Sequence, residues 1–172
     1  MSALTAEALR ELLSYDPATG EWTWLVDLKT GRGAGRVHVI AGSKAGTLSS
    51  AKGYRKIGVN GKRYWAHRLA FLWMTGEWPL LHVDHIDGNG GNDAWVNLRD
   101  VSQSVNMQNR RRACADSVSG ILGVSFNTAR KKWVAQIVTG GRNLGLGYFD
   151  SPDAASAAYI AAKRNLHAGC TL

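Results

Sequence analysis

The chain is poor in cysteine, in acid and in long apolar runs, and each shortage excludes something. Its two cysteines, Cys114 and Cys170, form neither a C-x-x-C pair nor a disulfide framework, so no cysteine-held structural zinc is expected and a reduced compartment is the simple reading. No uncharged apolar stretch approaches the roughly 20 residues of a membrane span, so no membrane association is expected. Met1 to Arg10 lack a basic start followed by an apolar run, which argues against a secretory signal and for a cytoplasmic protein. The 20 glycines follow no period, which excludes collagen-like and low-complexity character. Acid is outnumbered: 13 Asp and Glu face 21 Lys and Arg, for a net charge of +8 and a pI near 9.8. Such a chain is drawn to polyanions through phosphate neutralisation and counterion release. With 45% hydrophobic residues over 172 positions, one compact domain or two small ones can be built.

Several local signals organise the chain. LTAEALRELLS, residues 4–14, reads as a short amphipathic helix capped by Thr5, with Leu9, Leu12 and Leu13 on one face. Asp16-Pro17-Ala18-Thr19-Gly20 is a turn signal, and GEWTWLV alternates as a strand does. Residues 28–52, rich in Gly, Ser and basic residues, read as a long, partly mobile loop. Asn60-Gly61 between two β-prone runs predicts a hairpin over 53–67. A helix is predicted from Ala66 to Thr75, ended by Gly76 and Pro79. From Gly120 three strand-like runs lead to an alanine-rich helix opened by Ser151 as N-cap and Pro152 at the first position.

The chemistry concentrates in LLHVDHIDGNGGNDAWVNLRDVSQSVNMQNRRR, residues 80–112. Leu80, Leu81 and Val83 support a strand that delivers Asp84 and His85. A Gly/Asn-rich loop at 88–93 turns the chain, and Trp95, Val96 and Leu98 support a return strand. Ser102 is placed to cap a helix carrying Asn106, Asn109 and Arg110. Strand, loop, strand and helix bring Asp84, His85, Asn97 and Asn106 within possible reach of one another. Taken one at a time, Asp84 is as readily a turn cap and Asn97 a backbone partner; four positions in order make coincidence unconvincing.

This segment resembles the HNH, or ββα-metal, nuclease motif, in the phage and intron-homing branch whose last histidine is an asparagine. The resemblance rests on adjacent Asp84-His85, on Asn97 twelve residues later in "NLR", and on Asn106 nine residues further on. It implies a DNA endonuclease in which His85 takes a proton from the attacking water, a task suited to a neutral imidazole. Asp84 and Asn106 would supply oxygen ligands to one Mg²⁺ or Mn²⁺ ion per site, which such hard cations prefer. Asn97 would hold the loop and orient His85, and Arg99 and Arg110 are candidates for phosphate contacts. Asn in place of His at 106 leaves one charged protein ligand and favours Mg²⁺ or Mn²⁺ over Zn²⁺. His82, on the strand face of Asp84, and Asp87 are possible supporting groups, or simply a surface histidine and a turn former.

Residues 120–168 resemble the Apetala or ethylene-response-factor DNA-binding domain, through Gly123-Val124, "KWVAQI" at 132–137, "LGYFD" at 146–150 and the alanine helix. That family folds as a three-stranded antiparallel sheet backed by one helix and reads the major groove with the outer sheet face. Alternation puts Val124, Trp133, Ala135, Ile137, Leu144 and Leu146 toward the helix, and Ser125, Asn127, Gln136, Val138 and Asn143 outward. Arg130, Lys131, Lys132 and Arg142 are expected on phosphates, or form an ordinary solvated face. "NGKRYWAHRLAFLWMTGEWP" resembles the segment that precedes the nuclease motif in phage enzymes; His67 there reads as structural. Tyr54, Arg55, Lys56, Lys62 and Arg63 form either a DNA-facing hairpin or a merely exposed one.

The expected fold is α+β: an N-terminal DNA-binding or support region (1–79), the ββα-metal segment (80–112), a linker (113–119) and the C-terminal module (120–172). The expected activity is a homing-type endonuclease on double-stranded DNA. It would work as a monomer that nicks one strand, in the host cytoplasm if phage-encoded. A DNA-binding regulator on an inactive nuclease scaffold and a non-specific phage nuclease are the rivals.

Overall fold

Tight turns between short amphipathic segments give the chain its α+β architecture. The computed structural model describes residues 4–29, 37–49 and 53–172. The chain forms two units, Met1–Val101 and Ser102–Leu172, each with its own hydrophobic core.

In the first unit, helix α1 (Ala6–Leu12) starts where the Thr5 hydroxyl accepts the Ala8 N–H, and it buries Ala6 and Leu9. The helix ends two residues before the apolar pattern suggests. Leu13–Asp16 (β1) turns extended and pairs antiparallel with Glu21–Trp24 (β2), Tyr15 facing Trp22. Pairing of two large aromatics outweighs the helical preference of Leu13. The expected Asp16–Gly20 turn closes this hairpin: the Asp16 carboxylate accepts the Ala18 N–H and the Thr19 hydroxyl, and Gly20 takes a φ of 75°.

Residues 28–52 are not one loop. Leu28–Lys29 (β3) pairs with Val37–Val39 (β4). Thr47–Leu48 (β5) joins Arg55–Val59 (β6) and Lys62–Trp65 (β7) in a three-stranded antiparallel sheet, and Ala45 is fully buried. Strands of two or three residues are too short for alternation to reveal. The expectation of mobility at 30–36 and 50–52 lies outside the described residues. The Asn60-Gly61 hairpin is present, both residues having positive φ. Helix α2 (Ala66–Thr75) follows at once and ends at Gly76, whose φ of 84° suits glycine. Leu9, Leu13, Trp22, Ile57, Val59, Leu69 and Leu72 form the core between these elements.

His82–His85 (β8) and Leu98–Val101 (β9) form a two-stranded antiparallel ribbon. The strand begins at His82, leaving Leu80 and Leu81 exposed. Trp95–Asn97, expected to be strand, is a turn of 3-10 helix. The Trp95 N–H donates to the Pro17 carbonyl, so this stretch is shaped by the β1–β2 turn rather than by ladder pairing.

The second unit opens with α3 (Gln103–Gln108), capped by Ser102 as expected. Val124–Asn127 (β10), Lys132–Thr139 (β11) and Arg142–Phe149 (β12) form an antiparallel sheet in that order, backed by α4 (Pro152–Leu166). Ser151 caps α4 through the Ala154 N–H. Val124, Ala135, Ile137, Ala155 and Tyr159 are its core, with Trp133 and Leu146 packed against them. Leu144, expected inward, pairs with Ile137 close to the Gly140-Gly141 turn and stays 45% exposed. The C-terminal tail and α4 grip the end of α3: Gly169 N–H donates to Gln108 and the Thr171 hydroxyl to Asn109, while the Lys163 ammonium of α4 donates to the Arg110 carbonyl.

Gly123 shows how tightly this unit packs. Its φ is +71°, and an added Cβ would lie 2.0 Å from the Tyr159 ring. Gly123→Ala should destabilise the second unit by roughly 2–4 kcal/mol, combining left-handed strain with overpacking. Urea unfolding followed through resonances of the β11 amides would show the loss, with the first unit unchanged.

Candidate active site

Two polar side chains anchor the entry to β8. The Asp100 carboxylate accepts the backbone N–H groups of Leu80 and Leu81, each at 3.0 Å. The Arg68 guanidinium, from α2, donates to the carbonyls of Pro79 and Leu81. The strand so held delivers Asp84 and His85, both buried (7% and 3% exposed) in a basic chain that buries few charges.

Asp84 faces Arg99 across the ribbon. Both Nε and Nη2 of Arg99 donate to Asp84 Oδ2, at 2.9 and 2.8 Å. Arg99, expected on DNA phosphate, is thus engaged with the carboxylate beside it. His82 is exposed on the same strand, and Asp87 is exposed in the loop.

Asn97 is the clasp of that loop. Its amide oxygen accepts the Asp87 N–H at 2.9 Å, and its Nδ2 donates to Asp87 Oδ1 at 3.0 Å and to the Asn92 carbonyl at 2.8 Å. Its own carbonyl accepts the Ile86 N–H. Every polar atom of the side chain is therefore spent on residues 87–92, the segment that follows His85. Partial desolvation works against a charged Asp87, but hydrogen bonds from Asn92, the Asn89 N–H and Asn97, with His85 nearby, outweigh it and lower its pKa.

The side chain that meets His85 is one the sequence did not single out. His85 Nε2 lies 3.0 Å from Asp93 Oδ1, and the Asp93 side chain is fully buried. Arg55 Nε stands 3.8 Å from the other oxygen of Asp93. Aromatic rings enclose the imidazole: Tyr54 at 5.5 Å and His67 at 5.1 Å between centroids. Tyr54 and Arg55, read as DNA-facing or simply exposed, instead line this pocket. Lys56 lies 4.2 Å over the Trp65 ring. Gly90 permits the packing, since a Cβ there would meet the Tyr54 ring at 2.6 Å. In sequence Asp93 is one more residue of a polar turn, and no spacing rule marks it.

His67, His85 and Asp93 each offer a ligand atom, all within 4.8 Å of one another, and together they could hold a metal ion. The donor set of two imidazoles and a carboxylate suits a transition ion better than a hard one. The Asp84 carboxylate, by contrast, is an oxygen donor of the kind Mg²⁺ prefers.

In the second unit, Asn106 is half-buried on α3, and Arg110 Nη2 lies 2.9 Å from Cys114 Sγ. On the outer sheet face Ser125, Gln136, Arg142 and Asn143 are exposed and Asn127 is half-buried; Asn143 donates to Gln136. Arg130 stacks over the Tyr148 ring at 4.7 Å, Lys131 is exposed in a turn, and Lys132 is paired with Asp150.

A buried carboxylate on a buried imidazole, beside an aspartate on the same strand and a loop clasped by asparagine, is an arrangement able to accept and hold a proton. Residues 64–108 match the family model of the HNH endonucleases. That HNH segment is about a quarter of the chain and contains Asp84, His85, Asp93, Asn97 and Asn106. No curated protein matches the chain. A solved structure described as "DNA binding and cleavage by the HNH homing endonuclease I-HmuI" is 27% identical; the match covers 63% of this chain and 57% of that one, with a TM-score of 0.42. A likeness of that score fixes no fold.

Burial also governs His67. Desolvation, then the neighbouring His85 and Arg68, push its pKa down to about 3, so it stays neutral when folded. Unfolding frees it to take up a proton near the ordinary value of about 6.5. Stability from this group is therefore lost as pH falls from about 6.5 toward 3, at up to about 1.4 kcal/mol per pH unit. Urea unfolding of His67→Gln over this range should show a shallower pH dependence than wild type.

Proposed function

We propose that the chain is a metal-dependent DNA endonuclease that hydrolyses one phosphodiester bond, with His85 as general base. The observation that carries the reading is the pairing, on one short strand inside the HNH segment, of a buried carboxylate with a buried, hydrogen-bonded imidazole. Asp84 fits a hard divalent cation, being a carboxylate oriented by Arg99. By the motif, Asn106 gives the second oxygen donor; that pairing rests on the sequence. A bound Mg²⁺ or Mn²⁺ supplies Lewis acidity at the scissile phosphate and the leaving oxygen.

The side chains do the rest. His85 accepts a proton from water; the water oxygen bonds to phosphorus, and the bond from phosphorus to the 3′ oxygen breaks. The leaving oxygen takes a proton from solvent. Asn97 keeps residues 87–92 from drifting into that space. The net charge of +8 favours a duplex, with Arg130, Lys131 and Arg142 on phosphates and Ser125, Asn127, Gln136 and Asn143 toward bases. On this reading 1–79 supports the site, 80–112 cuts, and 120–172 binds a target after the manner of a homing enzyme. One site per chain makes a monomer a nickase.

Supercoiled plasmid carrying target DNA tests the reading. With Mg²⁺ or Mn²⁺ the wild-type chain should give open circles nicked at a discrete position. Chelator should abolish the product, and Asp84→Ala should reduce it at least about 100-fold. Binding without nicking in either metal would overturn it in favour of a regulator, and scattered nicks would replace the homing reading with a non-specific nuclease.

A further inference from the structure

We propose that Asp93 is the positioning residue for His85: it fixes the imidazole in the tautomer that carries its proton on Nε2, and the N-terminal hairpin exists in part to hold Asp93 there. The inference deepens the endonuclease reading and rests on it for its catalytic meaning.

A carboxylate accepts hydrogen bonds and donates none, so a partner at 3.0 Å from Asp93 Oδ1 must bring the proton. That assigns N–H to His85 Nε2 and leaves Nδ1 as the basic nitrogen. Both side chains are almost wholly buried (3% and 0% exposed), so water does not compete for the bond. Arg55 Nε stands 3.8 Å from the second oxygen, an ion pair without a hydrogen bond. As the imidazole gains a proton from water, the same carboxylate faces a developing cation and stabilises it.

Asp93 is held by its backbone, and from far along the chain. The Tyr15 hydroxyl donates to the Asp93 carbonyl at 2.6 Å, in a buried contact spanning 78 residues. Burial, with Asp93 and Asp16 nearby, raises the Tyr15 pKa, which keeps this hydroxyl a donor. Gly20 lies against the same peptide: an added Cβ would sit 2.3 Å from the Asp93 carbonyl carbon. The next turn is tied down too, by the Trp95 N–H on the Pro17 carbonyl. Tyr15, Pro17 and Gly20 all belong to the β1–β2 hairpin. A hairpin built only to fill the core would have no need to meet this loop at three points.

Nitrogen-detected NMR of the metal-free, DNA-free full chain, ¹⁵N-labelled at histidine, reads the tautomer directly at about pH 8, well above the ordinary histidine pKa. Wild-type His85 should show a protonated Nε2 and an unprotonated Nδ1. Asp93→Ala should give a tautomer mixture, and single-turnover cleavage should fall about 10–100-fold with DNA affinity within twofold. Asp93→Asn, almost the same shape, guards against simple misfolding and should also slow cleavage. Tyr15→Phe should shift both readouts the same way by less. A wild-type proton on Nδ1, a tautomer unmoved in Asp93→Ala, or full cleavage by a variant whose tautomer has changed would each overturn the proposal. If wild type does not cleave at all, the endonuclease reading fails while the tautomer result still decides the role of Asp93.

Discussion

The hydrogen bond between the buried imidazole of His85 and the buried carboxylate of Asp93 constrains everything around it. A charged group with no exposure is tolerated only with partners. Asp93 obtains a hydrogen bond from the imidazole on one oxygen, and Arg55 Nε stands 3.8 Å from the other as an ion pair without a hydrogen bond. The rings of Tyr54 and His67 then pack beside the imidazole, and the glycine at 90 is required because any side chain would collide with Tyr54. Remove the pair and the loop at 87–94 has lost the contact that ties its far end to β8.

From that bond the first unit reads as a set of supports arranged in rings. Asn97 closes the near part of the loop, Tyr15 and Gly20 close the far part, and Arg68 and Asp100 hold the strand entry. None of these contacts is strong alone, each net hydrogen bond contributing about 1 kcal/mol. On the proposed reading their value lies in precision, since a general base must be held to a fraction of an ångström. The hydrophobic core of Leu9, Trp22, Ile57 and Leu69 supplies the rigid base.

Much of this was legible in the sequence where the signal is local. Thr5, Asn60-Gly61, Gly76, Ser102 and Ser151 end or start elements where their chemistry says they should. Helix α2 keeps its predicted bounds, its C-terminal glycine cap agreeing with the apolar pattern. What failed is long-range. Leu13 and Ser14 leave the helix to pair with β2, and Trp95–Asn97 becomes a 3-10 turn because Pro17 takes its N–H. At the site, adjacent Asp84-His85 and the later Asn97 could be picked out because a motif spaces them. Asp93 could not: its backbone is met by a tyrosine hydroxyl 78 residues away, and no pattern along the chain carries that information.

The account stands or falls on His85 as the base. The most direct measurement is the single-turnover cleavage rate of His85→Ala against wild type, on the same DNA, with Mg²⁺ saturating and DNA affinity measured in parallel. Loss of a general base should slow the chemical step by about 10²–10⁴-fold while affinity changes little. A variant that cleaves within a few-fold of wild type would contradict the assignment and, with it, the role of the buried pair.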